Sequence, residues 1–132
     1  GLRFVAYLSM MTVLLLLTAP PTSRLAWHAV TLAQCLLEQG HRVNVFFYQD
    51  AVHVVNALRW QPSDEPNLQK SWQALDLDKP VCVSAALSRG ICDAENASRH
   101  ELSGHNLAEG FRMAGLGELA ELLMDADRVV QL

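Results

Sequence analysis

Hydrophobic residues in this chain form short continuous runs that alternate with stretches of helical spacing. Residues 12–18 are almost wholly aliphatic, as in a parallel strand buried on both faces. A helix is predicted after this run, capped by Thr22 or Ser23 and stopped by Gly40. Its apolar stripe comprises Ala26, Val30, Ala33 and Leu37, widened by Trp27, Cys35 and Leu36. Residues 43–48 are rich in β-branched and aromatic side chains, which completes one βαβ unit with a right-handed crossover.

The same alternation continues to the end of the sequence. The predicted elements are a short irregular helix over 50–60, a helix over 67–75, a strand from Pro80, a polar exposed stretch over 93–105, a strand over 111–113, a helix over 115–124 and a strand over 127–132. This order predicts an α/β fold: a single-domain, open, mainly parallel sheet of about five strands with helices on both faces, flavodoxin-like in outline.

Ligand sites in open parallel sheets lie at the carboxyl ends of the strands. Three loops are expected to converge there, namely residues 19–23, 49–52 and 84–90. A reactive side chain at this edge would stand at the mouth of the crevice that the loops enclose.

Composition narrows the class of protein without identifying its ligand. The 132 residues suffice for one domain, and 51% of them are hydrophobic while 18% are charged. Such a chain buries apolar surface on both sides of a sheet or against a partner. The formal net charge of −4 argues against direct binding to nucleic acid. Three cysteines without CxxC spacing suit a reducing compartment, so we expect a cytoplasmic protein.

The first residues allow two interpretations. Residues 4–17 are almost wholly apolar, behind Arg3 and ahead of Pro20, which resembles a signal peptide. The run is shorter than the roughly 20 apolar residues that cross a membrane. A buried strand is the favoured interpretation, and no membrane association is expected. Met10 or Met11 is the expected natural start.

Cys82 lies where the third predicted strand gives way, within a few residues, to small residues that begin a helix. Backbone N–H groups and the helix dipole at such a junction favour thiolate, the reactive form of cysteine. Cys82 is therefore a candidate sulfur nucleophile. Position alone leaves a second role open, because a cysteine in a Val-Cys-Val strand is commonly a small core residue.

The other candidate residues carry weaker signals. Arg89 is near enough in sequence to hold an anionic sulfur, although a solvent-facing cation is the commoner role. Cys35 is predicted to pack within the first helix, and Cys92 to be partly exposed. Cys92, His100 and His105 match no compact zinc spacing, so no metal site is predicted. Phosphate-loop and GxSxG patterns are absent from the sequence, and no cofactor is predicted.

Three segments carry a resemblance to a known family. They are Val45-Phe46-Phe47-Tyr48-Gln49-Asp50, then Val81-Cys82-Val83-Ser84-Ala85-Ala86-Leu87-Ser88-Arg89-Gly90, and an ending from Gly110-Phe111 through Ala114-Gly115-Leu116-Gly117 to Asp127-Arg128-Val129-Val130-Gln131-Leu132. From Met11 to Leu132 the chain resembles the DsrE/TusD sulfurtransferase family, most closely its TusD branch in the tRNA 2-thiouridine sulfur relay. The persulfide-bearing cysteine of the family falls on Cys82.

The resemblance implies a DsrEFH-like fold and a sulfurtransferase that uses a cysteine nucleophile and no cofactor. It implies TusB-like and TusC-like partner subunits in a heterohexamer, a TusA-like sulfur donor and a TusE-like acceptor, with 2-thiolation of the tRNA wobble uridine as the outcome. Three alternatives stay open: a DsrE-like subunit in sulfur oxidation, a non-catalytic scaffold subunit of a related complex, and a small-molecule-binding module of flavodoxin-like shape.

The chain departs from the family pattern at three places. Residues 1–10 lie outside the resemblance and are predicted to be an extension before a relay domain over 11–132. Ala51 stands where relatives usually carry glycine, and the loop is strained if that position needs a positive φ. Cys92 occupies a position that is usually aliphatic in relatives, which favours packing over catalysis.

Overall fold

Five parallel strands form one sheet in the order β4-β3-β2-β1-β5. The structure is a computed structural model that describes residues 10–132. The strands are β1 (Thr12–Leu17), β2 (Arg42–Phe47), β3 (Pro80–Cys82), β4 (Arg112–Ala114) and β5 (Arg128–Gln131). The helices are α1 (Arg24–Glu38), α2 (Leu68–Gln73), α3 (Val83–Leu87), α4 (Ala94–Arg99) and α5 (Leu116–Asp125), and a 3₁₀ helix (Gln49–Val55) follows β2. The predicted α/β class and open parallel sheet are confirmed. The extension predicted over residues 1–10 lies, apart from Met10, outside the described residues.

β1 is the buried strand that the aliphatic run predicts. It lies between β2 and β5 in the sheet, and Leu14 and Leu15 have no solvent exposure. Leu17 pairs with Phe47, so β1 and β2 end level with each other. Burial on both faces explains why this strand has a continuous apolar run rather than an alternating pattern.

The ends of α1 are those that its sequence signals predict. The hydroxyl oxygen of Ser23 accepts a hydrogen bond from the backbone N–H of Leu25 at 3.1 Å, which caps the first turn. Gly40 follows the helix with φ of +87°, a left-handed conformation that glycine adopts at little cost.

β3 is short, and its register places Cys82 at the carboxyl edge of the sheet. A single register pair, Phe47 with Val81, joins β3 to β2. On the other side Cys82 pairs with Ala114, the last residue of β4. Because β1 and β2 also end at Leu17 and Phe47, the four strands β1 to β4 finish close to one level.

Lys79 fixes the turn that leads into β3. Its side chain is buried, and Nζ donates hydrogen bonds to the carbonyl oxygens of Leu75 at 2.8 Å and Leu77 at 2.9 Å. Burial lowers the pKa of this ammonium below its ordinary value. The two bonds hold the chain between α2 and Pro80 and thereby determine the residue at which β3 begins.

Three aromatic side chains join the sheet to its covering helices. The ring of Phe47 meets the ring of Trp72 edge-on at a centroid distance of 5.2 Å, and that of Phe111 at 5.5 Å. Trp72 comes from α2, whereas Phe111 precedes β4. The contacts therefore hold α2 against the end of β2, next to the start of β4.

Two expectations about local structure are corrected. Residues 93–105 contain the helix α4 rather than only an exposed polar stretch, and Asn96 and Ala97 within it are buried. The helix depends on a cap: Asp93 Oδ1 accepts from the backbone N–H of Asn96 at 2.9 Å. With one buried apolar residue in six positions, α4 has too little hydrophobic periodicity for pattern analysis to find.

The segment after β2 also differs from expectation. The irregular helix predicted over 50–60 is a 3₁₀ helix over Gln49–Val55. Ala51 is buried and its φ lies outside the left-handed region, so the strain considered for alanine at this position is absent. The unusual backbone falls instead on Gln49, with φ of +50°.

Arg112 joins three elements near the amino end of β4. Its Nε donates to Asp78 Oδ1 at 2.8 Å and its Nη2 to Asp78 Oδ2 at 2.6 Å, a bidentate pair, while Nη1 donates to Glu118 Oε1 at 3.1 Å. The hydrogen bond from Arg112 lowers the pKa of Asp78, and partial burial opposes this effect. The two carboxylates raise the pKa of Arg112.

The Asp78–Arg112 pair predicts a specific dependence of stability on pH. Because the pKa of Asp78 in the folded state lies below its ordinary value of 3.8, the ionised pair stabilises the fold above pH 3.8. That contribution is lost as the pH falls through the folded-state value. Asp78→Asn is expected to reduce the free energy of unfolding at neutral pH by about 1 kcal/mol or less, because the carboxylate is exposed, and to make the acid-side loss shallower.

Urea titrations at neutral pH and at about pH 3 measure both effects. Asp76→Asn is the matched control, since Asp76 is an exposed carboxylate in the same turn. Equal curves for the two variants would contradict the role given to the Asp78–Arg112 pair.

Candidate functional site

Cys82 is the last residue of β3 and the N-cap of α3, with φ of −59° and ψ of 115°. The predicted strand-to-helix junction is therefore present, and the helix begins at the next residue. The small residues that follow allow this tight change of direction, and Ala85 and Ala86 are buried against the body of the protein. The sequence places the thiol at the carboxyl edge of the sheet, where such folds bind their ligands.

The thiol is buried, which differs from the expected position at the mouth of a crevice. Cys82 has 0% relative exposure in this chain. A buried sulfur is inaccessible to a protein carrier in this arrangement, so any reaction with one requires a change in the residues that cover it. Because the sulfur is shielded from solvent, its polar contacts within the protein are important for its chemistry.

One side-chain polar contact to this sulfur is present within residues 10–132. Ser84 Oγ lies 3.4 Å from Cys82 Sγ, and either atom can donate when the thiol is neutral. Ser84 itself is exposed on the first turn of α3. Cys82 makes no side-chain capping bond to the amides of that turn, so the expected support from backbone N–H groups is absent in this geometry.

The 3₁₀ helix packs against both β3 and α3, the two elements that meet at Cys82. Its side chains Ala51, Val52, Val54 and Val55 are buried. An ion pair joins it to the end of α3: Arg89 Nε lies 3.0 Å from Asp50 Oδ1. The 3₁₀ helix is therefore one of the segments whose movement would change access to the sulfur.

Arg89 has polar partners other than the sulfur. Besides Asp50, its Nη1 donates to the carbonyl oxygen of Ala85 at 3.1 Å and to the hydroxyl of Ser88. The side chain is partly buried rather than solvent-facing. Neither role considered for Arg89 is found: it makes no contact with the sulfur, and the solvent-facing position that was favoured is replaced by a partly buried one paired with Asp50, a partner that the sequence did not predict.

The three loops expected at the carboxyl edge do approach one another. Ala19 and Ala51 line the same apolar cleft with Phe47, and the Asp50–Arg89 ion pair brings the third loop to the second. The cleft holds only about 10 Å³ of space for a water-sized molecule. Such a volume does not accommodate a nucleotide or a flavin, whose sites measure hundreds of cubic ångströms.

A polar cavity of about 210 Å³ lies between α4 and the end of β4, next to the residue that follows Cys82. Val83, the next residue in the chain, and Ala114, the register partner of Cys82, line it together with Asp93 and Asn96 of the α4 region. This cavity was not predicted because α4, which forms one of its walls, was not predicted. The available signal was the spacing of Asp93 and Asn96, which is typical of a helix cap.

The environments of Cys35 and Cys92 are the reverse of those predicted. Cys92 is buried rather than partly exposed, and its Sγ donates to the carbonyl oxygen of Gly104 at 3.1 Å. Cys35 is exposed on α1 rather than packed. Cys35 lies two residues after the buried Ala33. This spacing places its side chain on the solvent side of α1 rather than on the buried apolar stripe.

The described part of the chain contains neither a cluster of metal ligands nor a helix that could span a membrane. No group of three or more His, Cys, Asp and Glu side chains in residues 10–132 is arranged to hold a metal ion, and His100 and His105 are exposed. Over the same residues, no helix combines the length and apolar character needed to cross a bilayer.

Comparison with known proteins identifies the family. The model of the DsrE/DsrF-like family matches residues 11–132. This chain belongs to the DsrE/DsrF-like family. The predicted family is confirmed, and its match includes β3, Cys82 and α3.

Curated relatives in this DsrE/DsrF-like family are similar over most of their length. The chain is 49% identical over 114 residues to the sulfurtransferase TusD homolog of Vibrio parahaemolyticus, which covers 83% of this chain and 87% of that protein. It is 42% identical over 128 residues to the sulfurtransferase TusD of Pectobacterium carotovorum, covering 92% and 99% respectively. The crystal structure of the ychN protein from E. coli has the same fold, with a TM-score of 0.67 at 23% identity and coverage of 93% and 99%.

The contact between the 3₁₀ helix and α3 predicts how access to Cys82 is controlled. Asp50→Ala removes the ion pair with Arg89 and is expected to raise the alkylation rate of Cys82 about two- to fivefold, because partly exposed ion pairs contribute less than about 1 kcal/mol. Peptide mass spectrometry after timed exposure to iodoacetamide gives the rate, with exposed Cys35 as the internal reference.

Glu38→Ala is the control, since it removes an exposed carboxylate at the end of α1, next to the amino end of β2 and so at the edge of the sheet opposite Cys82. An unchanged rate in Asp50→Ala, or an equal increase in the control, would show that the Asp50–Arg89 pair does not limit access.

Proposed function

We propose that this chain accepts persulfide sulfur on Cys82 from a TusA-like carrier and passes it to a TusE-like acceptor, for 2-thiolation of the tRNA wobble uridine. The general activity is established: the chain is a sulfur-relay sulfurtransferase, in agreement with the names of its TusD relatives at 42–49% identity. The assignment of the reacting residue, the donor, the acceptor and the tRNA product is the proposal.

One observation carries the assignment of Cys82. Of the three cysteines, Cys82 alone ends a strand at the carboxyl edge of the sheet and begins a helix. Cys35 lies on the outer surface of α1, and Cys92 is held by a backbone carbonyl. The site that open parallel sheets use for chemistry therefore contains one thiol.

The proposed chemistry is thiol–persulfide exchange and needs no cofactor. The Cys82 thiolate attacks the outer sulfur of the carrier persulfide, a sulfur–sulfur bond forms at Cys82, the sulfur–sulfur bond of the carrier breaks, and the carrier thiolate leaves. In the second step the thiolate of the acceptor attacks the outer sulfur on Cys82, and the Cys82 thiolate leaves. Each step exchanges one sulfur–sulfur bond for another without a net redox change.

Burial of the sulfur is consistent with a relay rather than with a freely diffusing donor. A persulfide that is shielded from water and small thiols is protected until a docked partner displaces the covering residues. The 3₁₀ helix, which contacts both β3 and α3, is the segment whose displacement we propose exposes Cys82.

Exposed apolar side chains support the proposal of partner subunits. Several occur in the last helix and the last strand, namely Leu116, Leu123 and Met124 of α5 and Val129 of β5. Met124 is 86% exposed, which is unusual for a side chain of this type. We propose that TusB-like and TusC-like subunits cover such surfaces in a heterohexamer.

The cytoplasm is the proposed compartment, since three free cysteines suit reducing conditions. The acidic net charge of −4 supports transfer to a protein acceptor rather than direct contact with the tRNA. The small volume of the apolar cleft disfavours a nucleotide or flavin site within that cleft.

A persulfide-loading experiment tests the reacting residue. The chain is incubated with a TusA-like carrier loaded with persulfide, and peptide mass spectrometry is expected to find one added sulfur on the Cys82 peptide. Cys82→Ser is expected to lose that adduct, whereas Cys35→Ser, which changes an exposed thiol on α1, is expected to load as the unaltered chain does. Absence of the adduct at Cys82 would contradict the proposal and favour a scaffold subunit.

The pathway is tested separately in a bacterial strain that lacks its TusD subunit. The unaltered chain is expected to restore 2-thiouridine in tRNA, measured by nucleoside mass spectrometry, and Cys82→Ser is not. Loading at Cys82 without any restored 2-thiouridine would favour a role in sulfur oxidation.

A further inference from the structure

We propose that the hydroxyl of Ser84 donates the hydrogen bond that stabilises the Cys82 thiolate during sulfur transfer. The inference rests on the proposed function of Cys82 and adds a second residue to its chemistry. Ser84 Oγ lies 3.4 Å from Sγ, within the range of hydrogen bonds to sulfur. Once the thiol loses its proton to solvent, only the hydroxyl can donate, and a charge-assisted bond replaces a weak neutral one.

The hydrogen bond from Ser84 is important because the sulfur has few other groups to stabilise its anion. Cys82 is fully buried, so water contributes little to stabilising its anion. α3 contains only five residues and Cys82 makes no side-chain capping bond, so support from the helix amides is limited. A hydroxyl two residues along the chain supplies the donor that the backbone does not.

Charged groups on the neighbouring elements have other partners. The titratable side chains carried by or adjoining the elements around Cys82 are Asp50, His53, Lys79, Arg89, Asp93, Glu95, Arg99 and Arg112. The three arginines are paired with carboxylates, and Lys79 is bound by two carbonyl oxygens. Within residues 10–132, Ser84 is the one side-chain hydrogen-bond partner present at the sulfur.

The same bond serves both halves of the transfer. In loading, the Cys82 thiolate is the nucleophile; in unloading, it is the leaving group. A donor that stabilises this anion raises the fraction of reactive thiolate in the first step and makes departure easier in the second. Ser84 is an exposed residue, and its hydroxyl contacts the buried sulfur.

The test compares Ser84→Ala with Ser88→Ala. Ser88 lies one turn further along, and its hydroxyl donates to the carbonyl oxygen of Ala85 at 3.1 Å, so the control removes the same group without touching the sulfur. The thiolate of Cys82 is measured by ultraviolet absorbance against pH, as the difference between each protein and its Cys82→Ser counterpart. This difference removes the other cysteines and the tyrosines, and it does not depend on access by a reagent.

Ser84→Ala is expected to displace the titration curve to higher pH and to reduce the thiolate at neutral pH by about three- to tenfold, the effect of losing one hydrogen bond to a charged group. Ser84→Thr, which keeps the hydroxyl, is expected to restore most of the thiolate, and Ser88→Ala to leave the curve in place. An unchanged curve for Ser84→Ala, or an equal displacement in Ser88→Ala, would overturn the inference.

The titration uses no sulfur donor, so its result is independent of whether Cys82 carries persulfide. If Ser84→Ala shifts the curve while Cys82 fails to load, the hydrogen bond stands and the proposed function falls. If Cys82 loads normally and the curve does not move, the proposed function stands and the role of Ser84 is withdrawn.

Discussion

The change of backbone from strand to helix at Cys82 is the constraint on which the site depends. Cys82 ends β3, pairs with Ala114 across the sheet and occupies the N-cap position of α3, so its side chain has little freedom to be placed elsewhere. The register with β2 rests on a single pair, Phe47 with Val81. The aromatic contacts of Phe47 with Trp72 and Phe111 hold that end of the sheet firmly, and the position of the sulfur follows from them.

Packing and chemistry make opposite demands at this residue. A small apolar core residue is best fully buried, whereas a sulfur nucleophile must meet its partner. In the single chain Cys82 is buried, as packing favours. Its access to a partner therefore depends on movement of neighbouring residues, namely the 3₁₀ helix joined by the Asp50–Arg89 pair and the exposed Ser84. The left-handed Gln49, at the start of the 3₁₀ helix, shows that this segment already has a less favourable backbone than a regular helix.

The architecture was predictable where a strong local signal coincides with burial. The aliphatic run of β1, the Ser23 cap and the Gly40 stop of α1 each have a physical cause that is visible in the residues themselves. Cys82 could be placed at its junction for the same reason, because Pro80 starts β3 and small residues begin α3. α4 gave only the signal of its cap by Asp93, since the burial of Asn96 and Ala97 has no visible periodicity. Burial of Cys82, the partner of Arg89 and the exposure of Cys35 were also inaccessible, because each depends on which distant segment covers the residue.

Lys79 imposes a strict limit on chain length before the reactive cysteine. Its two hydrogen bonds to Leu75 and Leu77 fix where the strand starts, and Cys82 follows three residues later. Successive side chains in a strand point to opposite faces of the sheet, so one inserted or deleted residue between Lys79 and Cys82 would turn the sulfur away from α3. Changes of length in this turn are therefore expected to disturb the site more than substitutions that keep the side-chain bonds of Asp78 and Lys79. The number of residues between Lys79 and Cys82 therefore sets the face of the sheet to which the thiol points.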